Sequence, residues 1–259
     1  MKKFILLLAV GLSMTCTSVL AWDGKGHTTV AYIAERHLTP TAKKNIARYT
    51  DNHPISYYAS WMDYYRKYPG YEMTHHWHVD YWTDAARKDK EGTPAEPIAV
   101  HQIKRIVKEM ADFRSMDDST VLVNIKYLTH MVGDMHCPVH IDFPKYRPID
   151  VNVQGKKMRY HKMWDGAVVE IKHKGMSPLM LAAELDRCDE AEIARLAGGT
   201  PDDWYTESIA AADKAYAIMP KDTVLTTDNY FNEAIEIADS QLRNAGYRLA
   251  AILNSIFDK

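Results

Sequence analysis

One segment of the chain, residues 127–140, brings three potential metal ligands close together and restricts the fold around it. His130 and Asp134 are four residues apart, which places both side chains on one face of an α-helix. Pro138 ends such a helix, and His140 follows just beyond it. Two imidazoles and a carboxylate are suitable ligands for a hard or borderline metal ion. The segment therefore predicts a helix that presents metal ligands.

The amino-terminal 21 residues have the pattern of a secretory signal peptide. Two lysines open this segment, an apolar stretch covers residues 4–12, and a small-residue cleavage site ends at Ala21. The apolar stretch is too short to cross a membrane. We expect cleavage before Trp22, export to a periplasm or out of the cell, and no membrane anchor. The mature chain, residues 22–259, is then expected to form one domain.

Composition and charge argue against some classes of protein. A chain with 46% hydrophobic and 25% charged residues is typical of a globular domain. The formal net charge is −2, and it becomes −4 when Lys2 and Lys3 leave with the signal peptide. A mildly acidic chain is not expected to hold long duplex DNA by neutralising phosphates, although bound metal cations could attract a nucleic acid. Cys137 and Cys188 could pair in an exported protein, and the sequence leaves this open.

Hydrophobic periodicity predicts a mainly α fold in a single domain, with at most a small β-hairpin. Helices are expected over residues 26–38, 41–49, 54–67, 98–113, from 117 through 134, from 200 onward, and over 228–257. Residues 75–82 and 91–97 are expected to be irregular segments or loops. Alternation around Gly155, over residues 151–158, indicates the hairpin.

Further ligand candidates lie outside the opening segment. His161 and Asp165 repeat the four-residue spacing on one helical face. Once the signal peptide is removed, the α-amino group and carbonyl of Trp22 could chelate a metal, and His27 could reach the same ion. Each feature alone has an ordinary explanation, such as a surface ion pair or a hydrophobic anchor. Their coincidence in one exported chain favours a metal centre.

Two more segments offer polar groups of the same kind. Asp63 and Arg66 are three residues apart, and alone they would be interpreted as an ion pair within a helix. His75, His76 and His78 form a dense cluster that alone would be an aromatic loop with solvated histidines. Both segments gain significance from the other candidates, because a metal centre needs several ligands from distant parts of the chain.

Together these segments resemble the S1/P1 nuclease family, the trinuclear-zinc, single-strand-specific nucleases that are related to bacterial zinc phospholipases C. The resemblance extends over the whole mature chain, with the motifs in the same order. The matching motifs are Trp22 with Gly26-His27-Thr28-Thr29-Val30-Ala31, Ser60-Trp61-Met62-Asp63-Tyr64-Tyr65-Arg66, His130-Met131-Val132-Gly133-Asp134, Pro138-Val139-His140, His161-Lys162-Met163-Trp164-Asp165 and Gly246-Tyr247-Arg248-Leu249-Ala250.

The resemblance implies three zinc ions and a hydrolytic activity. The implied ligands are Asp63, His78, His130 and Asp134 for the first zinc, His140, His161 and Asp165 for the second, and the Trp22 amine and carbonyl, His27 and Asp134 for the third. The implied enzyme is a monomeric endonuclease and 3′-nucleotidase that cleaves single-stranded DNA and RNA to 5′-phosphorylated products. The nucleophile would be a zinc-activated water bridging the first two ions, with Arg66 near the phosphate.

This sequence departs from the family at positions near the expected site. The family has an aspartate three residues after the metal histidine, whereas Asp80 follows His78 by two, so the role of orienting water either passes to Asp80 or is lost. His78 is favoured over His76 because a tryptophan commonly precedes the metal histidine in bacterial relatives. The family's Gly-Gly-Asn is replaced by Arg147-Pro148-Ile149, which leaves RNA, DNA and base preference open.

Other substitutions leave two alternative functions to consider. Tyr160 replaces a leucine, and Cys137 stands where a glutamine is common. A zinc phospholipase C would have the same metals, but that enzyme typically has glutamate at the position of Asp165. A non-catalytic helical zinc-binding protein would bind the metals and cut no phosphodiester.

Overall fold

A computed structural model describes residues 22–78, 80–81, 98–142, 149–219, 224–225 and 228–259. The helices are α1 (Gly24–Arg36), α2 (Pro40–Tyr49), α3 (Trp61–Tyr65), α4 (Ile98–Glu109), α5 (Asp118–Met135), α6 (Tyr160–Lys162), α7 (Val168–Lys172), α8 (Pro178–Leu185), α9 (Glu190–Ala197), α10 (Pro201–Ala217) and α11 (Asp228–Phe257). The strands are β1 (Asp80–Tyr81), β2 (Ile141–Asp142), β3 (Asp150–Val153), β4 (Lys156–Arg159) and β5 (Val224–Leu225). The predicted mainly α fold is confirmed. The expected signal peptide, residues 1–21, and the expected loop, 91–97, lie outside the described residues.

Side-chain caps fix several of the predicted helix starts. The Thr39 hydroxyl accepts a hydrogen bond from the Ala42 amide, with Pro40 in the first turn of α2. At the start of α10, Thr200 and Asp203 each accept a hydrogen bond from the other's backbone amide, which forms a capping box. The caps satisfy amide groups that have no partner within the helix, so these starts were predictable from the sequence.

Two segments predicted as continuous helices are interrupted. In the segment 54–67, a 3₁₀ turn over Ile55–Tyr58 precedes α3. The Ala59 carbonyl at the break accepts a hydrogen bond from His130 Nδ1 at 2.8 Å, so a tertiary contact uses this backbone group. In the segment 98–113, α4 passes into a 3₁₀ helix over Met110–Ser115, where Asp112 has φ −121° and ψ 55°. Hydrophobic periodicity alone does not show such breaks.

The predicted hairpin is present and is part of a slightly larger sheet. Strands β3 and β4 are antiparallel, and Gln154 (φ 49°) and Gly155 (φ 83°) turn the chain between them. Strand β5 pairs with β3 in parallel. A separate parallel pair, β1 and β2, aligns Asp80 with Ile141, so the segment after His78 runs beside the segment after His140. Strands of two residues are too short to produce an alternating pattern in the sequence.

Helices α1, α5 and α11 form the centre of the fold. Every residue of α5 from Asn124 to Met135 is buried. Helix α11 crosses α1 closely at Gly246, where a Cβ atom would lie 2.5 Å from the Ile33 Cβ. Helix α1 also packs against α5, so the segment that begins at Trp22 lies beside the helix that carries His130. In the described part of the chain, no helix has the length and apolar character needed to cross a membrane.

Candidate metal centre

Ligand candidates from six parts of the chain meet in one buried cluster. They are His27 of α1, Asp63 of α3, His78 before β1, His130 and Asp134 of α5, His140 in the 3₁₀ turn after α5, and His161 and Asp165 at α6 and the π-helical turn that follows. All are buried except His161, whose side chain is 31% exposed. The structure thus brings together ligand candidates that lie up to 138 residues apart in sequence.

The Asp134 carboxylate lies at the centre of this cluster. Its Oδ2 atom is 2.9 Å from His78 Nδ1 and 3.2 Å from His130 Nε2. Its Oδ1 atom is 3.3 Å from both His27 Nε2 and His140 Nδ1. Each oxygen therefore faces a different pair of imidazoles, which is an arrangement that allows one carboxylate to bridge two metal ions.

A first candidate metal position lies between α3, α5 and the His78 segment. His130 Nε2 is 3.1 Å from His78 Nδ1 and 3.8 Å from Asp63 Oδ2. The other ring nitrogen of His130 contacts the Ala59 carbonyl, which fixes the orientation of the imidazole. Together with Asp134, these side chains form a compact set of imidazole and carboxylate groups.

The choice between the neighbouring histidines follows from their burial. His78 is 4% exposed and points into the cluster. His75 and His76 are exposed on the 3₁₀ helix Glu72–His76, where their rings contact each other edge to face. The structure therefore brings His78, and not His76, to the candidate centre.

A second candidate position is centred on Asp165. His140 Nε2 lies 3.2 Å from Asp165 Oδ1, and His161 Nε2 lies 3.3 Å from Asp165 Oδ2. The two imidazole rings are stacked, with centroids 5.0 Å apart. The Cys137 thiol is also buried here, with Sγ 3.8 Å from Asp165 Oδ1. Cys137 and Cys188 are both free thiols, so the structure contains no bond between them.

The segment of Trp22 and Asp23, directly before α1, packs against the same cluster. Trp22 is fully buried, and the next residue, Asp23, donates its backbone N–H to the Asp165 carbonyl at 2.6 Å. The Asp23 carboxylate accepts from two amides at the start of α1, and this cap fixes the helix that carries His27. The His27 ring stacks on His130 at a centroid distance of 3.8 Å.

Two glycines leave the space that these contacts need. A Cβ atom at Gly133 would lie 2.7 Å from His27 Nδ1. A Cβ atom at Gly166 would lie 2.4 Å from Asp23 Oδ2. No motif in the sequence marks either glycine as part of the site. Each glycine lies within a helical segment and next to a candidate ligand, Asp134 or Asp165. A glycine in such a place is the one sequence feature that could have indicated close packing at the site.

Burial and neighbouring charges shift the pKa values of the histidines and aspartates in this cluster. Burial alone would lower the pKa of His130, but the carboxylates of Asp134 and Asp63 outweigh it and raise this pKa to about 9. Burial lowers the pKa of His78 to about 4. Burial alone would raise the pKa of Asp134, but the charges of His130 and His140 hold it well below its usual range. The cluster therefore keeps its central carboxylate ionised, as a metal ligand must be.

The fit of this cluster to metal ions can be tested on its unpaired atoms. Within the described residues, the buried side-chain atoms without a hydrogen-bond partner include Asp63 Oδ1, Asp134 Oδ1, Asp165 Oδ2, His78 Nε2, His140 Nδ1 and both ring nitrogens of His27. Unpaired buried polar atoms cost free energy. Tetrahedral zinc with bonds of about 2.0 Å places its ligand atoms roughly 3.3 Å apart. The contacts around Asp134 and Asp165, at 2.9 to 3.3 Å, match that spacing. The donor set fits metal ions.

The structure describes the side chain of Arg66 but only the backbone of Asp80, the two predicted catalytic residues. Arg66 lies at the carboxyl end of α3, with its side chain 18% exposed and one guanidinium nitrogen 3.8 Å from Asp63 Oδ1. Asp80 has its backbone in β1, but its side chain lies outside the described part of the structure. Arg147 and Pro148, where the sequence departs from the family's Gly-Gly-Asn, also lie outside the described residues.

The carboxyl-terminal motif supports the end of α5. Arg248 is 2% exposed, and it donates to His136 Nε2 at 2.9 Å and to the Leu196 carbonyl at 3.0 Å. A further guanidinium nitrogen bonds to Glu207. Burial and the Arg248 charge lower the pKa of His136 to about 3, so this imidazole stays neutral. The motif thus positions the turn that directly follows Asp134.

Comparison with known proteins gives the cluster a family context. The sequence profile of the S1/P1 nuclease family matches residues 22–258. Endonuclease 4 of Arabidopsis thaliana is 25% identical over an alignment of 290 residues that covers 95% of this chain and 92% of that protein. Nuclease S1 of Aspergillus oryzae is 25% identical over 274 residues, covering 91% of both chains. Nuclease P1 of Penicillium citrinum is 22% identical over 272 residues, covering 91% of this chain and 97% of that protein.

These matches extend over nearly the whole described chain, and they agree with the mainly α fold and with a cluster of histidine and aspartate side chains able to hold metal ions. The chain belongs to the S1/P1 nuclease family, a family of metal-dependent enzymes, and is a nuclease that hydrolyses phosphodiester bonds.

Proposed function

We propose that this protein is a zinc-dependent endonuclease and 3′-nucleotidase that cleaves single-stranded DNA and RNA to 5′-phosphorylated products. The observation that supports this most is the position of Asp134, whose two oxygens face separate pairs of imidazoles at 2.9 to 3.3 Å. A carboxylate in that position suits a centre with several metal ions close together, which is the type of centre used to cleave phosphodiesters.

We assign three zinc ions to this cluster. The proposed ligands are Asp63, His78, His130 and Asp134 for the first ion, His140, His161 and Asp165 for the second, and Trp22, His27 and Asp134 for the third. Imidazole and carboxylate ligands at these spacings suit zinc. The third ion also needs the amine of Trp22, and the burial of Trp22 beside α1 supports a mature chain that begins there.

Zinc bound at this centre would supply an activated water near neutral pH and neutralise charge on the phosphate. The chain contributes orientation. Ala59 holds the His130 ring, and the partly exposed guanidinium of Arg66 beside Asp63 is suited to orient a phosphate oxygen. Asp80 is our candidate for orienting the attacking water, because its backbone is paired with Ile141, directly after His140.

Export and assembly form part of the same proposal. The signal peptide, residues 1–21, would be removed before Trp22, and residues 22–259 would act as one nuclease domain in a periplasm or outside the cell. A free amine at Trp22 exists only after that cleavage. We propose that the processed protein is a monomer, because every ligand in the assignment comes from one chain.

The test is a paired assay on the processed protein. Zinc per chain is measured by mass spectrometry, and hydrolysis is followed on single-stranded DNA, single-stranded RNA, duplex DNA and a choline phospholipid. We expect about three zinc ions and cleavage of both single strands with 5′-phosphate ends. Zinc with cleavage of the phospholipid alone would contradict the substrate class, and zinc without any hydrolysis would contradict a catalytic role.

A further inference from the structure

Exposed aromatic side chains concentrate next to the candidate metal centre. In the described part of the chain, five of the seven exposed large hydrophobic side chains lie within residues 57–73, at 40% to 68% exposure. They are Tyr57, Tyr64, Tyr65, Tyr68 and Met73. Apolar surface collected in one place indicates a binding surface, whereas scattered exposed residues do not. We call Tyr57, Tyr64, Tyr65 and Tyr68 the tyrosine band.

Ring contacts hold one end of the band in place. The Tyr65 ring stacks on Trp61, with centroids 4.3 Å apart and an angle of 15° between the planes. Tyr68 follows at 5.4 Å from Tyr65, and Tyr71 contacts both Trp61 and Tyr65 edge to face. These rings therefore support one another, which lowers the entropy lost when a flat ligand binds.

A lysine connects this end of the band to Tyr57. The ammonium group of Lys126 lies 4.4 Å from the Trp61 ring centroid and 4.8 Å from that of Tyr58. Tyr58 in turn contacts Tyr57 edge to face at 5.0 Å. Tyr58 and Lys126 are each only 9% exposed, so they link Tyr57 to the rings around Trp61 beneath the surface, with a cation among them.

Helix α3 links the band to the metal centre. Asp63 is buried on one side of α3, while Trp61 and Tyr65, four residues apart, share another face. A helix with its side chains is about 10–12 Å wide, so the rings of Trp61 and Tyr65 lie within roughly one helix width of the Asp63 carboxylate in the metal centre. One or two nucleotides of a single strand cover such a distance.

We propose that the tyrosine band is a stacking subsite for unpaired bases of a single-stranded nucleic acid that lie one or two nucleotides beyond the dinucleotide cleaved at the metal centre. Every base has a flat π-face, so aromatic side chains bind single strands without requiring a particular sequence. Arg66 and the exposed Lys67 lie on the same segment and provide positive charge for the phosphates. Bases inside a duplex have both faces covered, so the band selects single strands. This inference rests on the proposed nuclease function.

The experiment compares three processed proteins by steady-state kinetics. The first carries Tyr64→Ala and Tyr68→Ala, the second carries Tyr64→Phe and Tyr68→Phe, and the third carries Leu179→Ala, which changes an exposed side chain outside the band. The substrates are a thymidine dinucleotide and an oligothymidylate of about ten nucleotides, within the range of single-strand site sizes. Zinc content and thermal melting are recorded for each protein.

We expect KM for the longer substrate to rise at least about fivefold in the alanine variant, the lower end of the cost of losing stacked bases. The value of kcat, the zinc content and KM for the dinucleotide should stay at their wild-type values. The phenylalanine variant keeps its rings and should behave like the wild type, as should Leu179→Ala. An unchanged KM for the longer substrate in the alanine variant would contradict the stacking subsite. It would leave the proposed cleavage of single strands unaffected.

Equilibrium binding separates this inference from the proposed function. Fluorescence anisotropy with labelled oligothymidylate requires no cleavage, and so it tests the band even if the wild-type protein hydrolyses no nucleic acid. Binding that is at least about fivefold weaker in the alanine variant alone supports the subsite. Equal binding by all variants, or equally tight wild-type binding of a matching duplex, would refute it.

Discussion

Helix α3 separates two regions that depart from ordinary burial in opposite ways. On its inner side, Asp63 is 5% exposed and joins a cluster of buried imidazoles and carboxylates. On its outer side, Tyr64 is 56% exposed and belongs to the tyrosine band. Buried charges cost free energy unless they are paired or bind a cation, and exposed rings keep apolar surface in water. Both departures indicate binding, one of metal ions inside and the other of a flat ligand outside.

The largest expected effect comes from the centre of the inner region. Asp134→Asn removes the negative charge that faces His27, His78, His130 and His140, so it weakens two proposed metal positions at once. Loss of a group that only orients a metal ligand already costs 10- to 100-fold in activity. We expect Asp134→Asn to lower kcat/KM by more than about a hundredfold and to reduce zinc per chain below that of any other single ligand variant.

Asp165→Asn is the matched control for that experiment. It lies in the same buried cluster, but in our assignment it serves one metal position only. If both variants lose the same amount of zinc and activity, or if Asp134→Asn retains near-normal turnover, the bridging role of Asp134 is wrong.

A change at the amino terminus should have a smaller effect on metal content. A protein that keeps one extra residue before Trp22 would have its amine displaced from the third proposed metal position. We expect that protein to bind one zinc fewer than the processed chain while keeping the other two, measured by mass spectrometry. Full zinc content together with full activity would remove Trp22 from the site.

Two glycine substitutions separate the metal centre from the packing around it. At Gly133 a methyl group would lie 2.7 Å from His27 Nδ1, so Gly133→Ala should displace His27 and lower zinc content. At Gly246 a methyl group would lie 2.5 Å from the Ile33 Cβ, so Gly246→Ala should force α1 and α11 apart and cost about 1–3 kcal/mol of stability. Zinc titration and chemical denaturation measure the two effects. Equal zinc loss in both variants would show that disturbed packing anywhere in the fold lowers zinc content, and that Gly133 has no specific effect through His27.

The inner region was more predictable from the sequence than the outer one. His130 with Asp134, and His161 with Asp165, occur at a spacing that a helix converts into proximity, so these pairs were visible before the structure. The family resemblance added the grouping into three metal positions, which spacing alone does not give. The break at Ala59 depends on a contact with His130 from a distant helix, and therefore no local pattern indicated it.

The outer region shows why the rest could not be read from the sequence. A stretch rich in tyrosine is compatible with a buried core and with an exposed surface, because tyrosine carries both an apolar ring and a polar hydroxyl. The contact between Lys126 and Trp61 beneath the band joins residues that are about 65 positions apart in sequence, which composition does not reveal.

The turn after Asp134 offers a test of how far packing controls the inner region. Arg248→Met would leave the Leu196 carbonyl and His136 without their buried donor. We expect a loss of about 2 kcal/mol in the free energy of unfolding, measured by chemical denaturation of the metal-free protein. Zinc content at 25 °C should stay unchanged, because Arg248 contacts the turn and no proposed ligand. Zinc loss at full stability would place Arg248 in the site.

The smallest expected effect calibrates the others. Thr200 caps α10 through the Asp203 amide, outside both the metal cluster and the tyrosine band. Thr200→Ala should lower the free energy of unfolding by about 1 kcal/mol, the usual cost of losing a threonine cap. Zinc content and KM for oligonucleotides should not change, because the cap contacts neither region. If this variant did change KM or zinc content, general destabilisation would account for such changes elsewhere, and effects at Gly133 or the tyrosine band would lose their specificity.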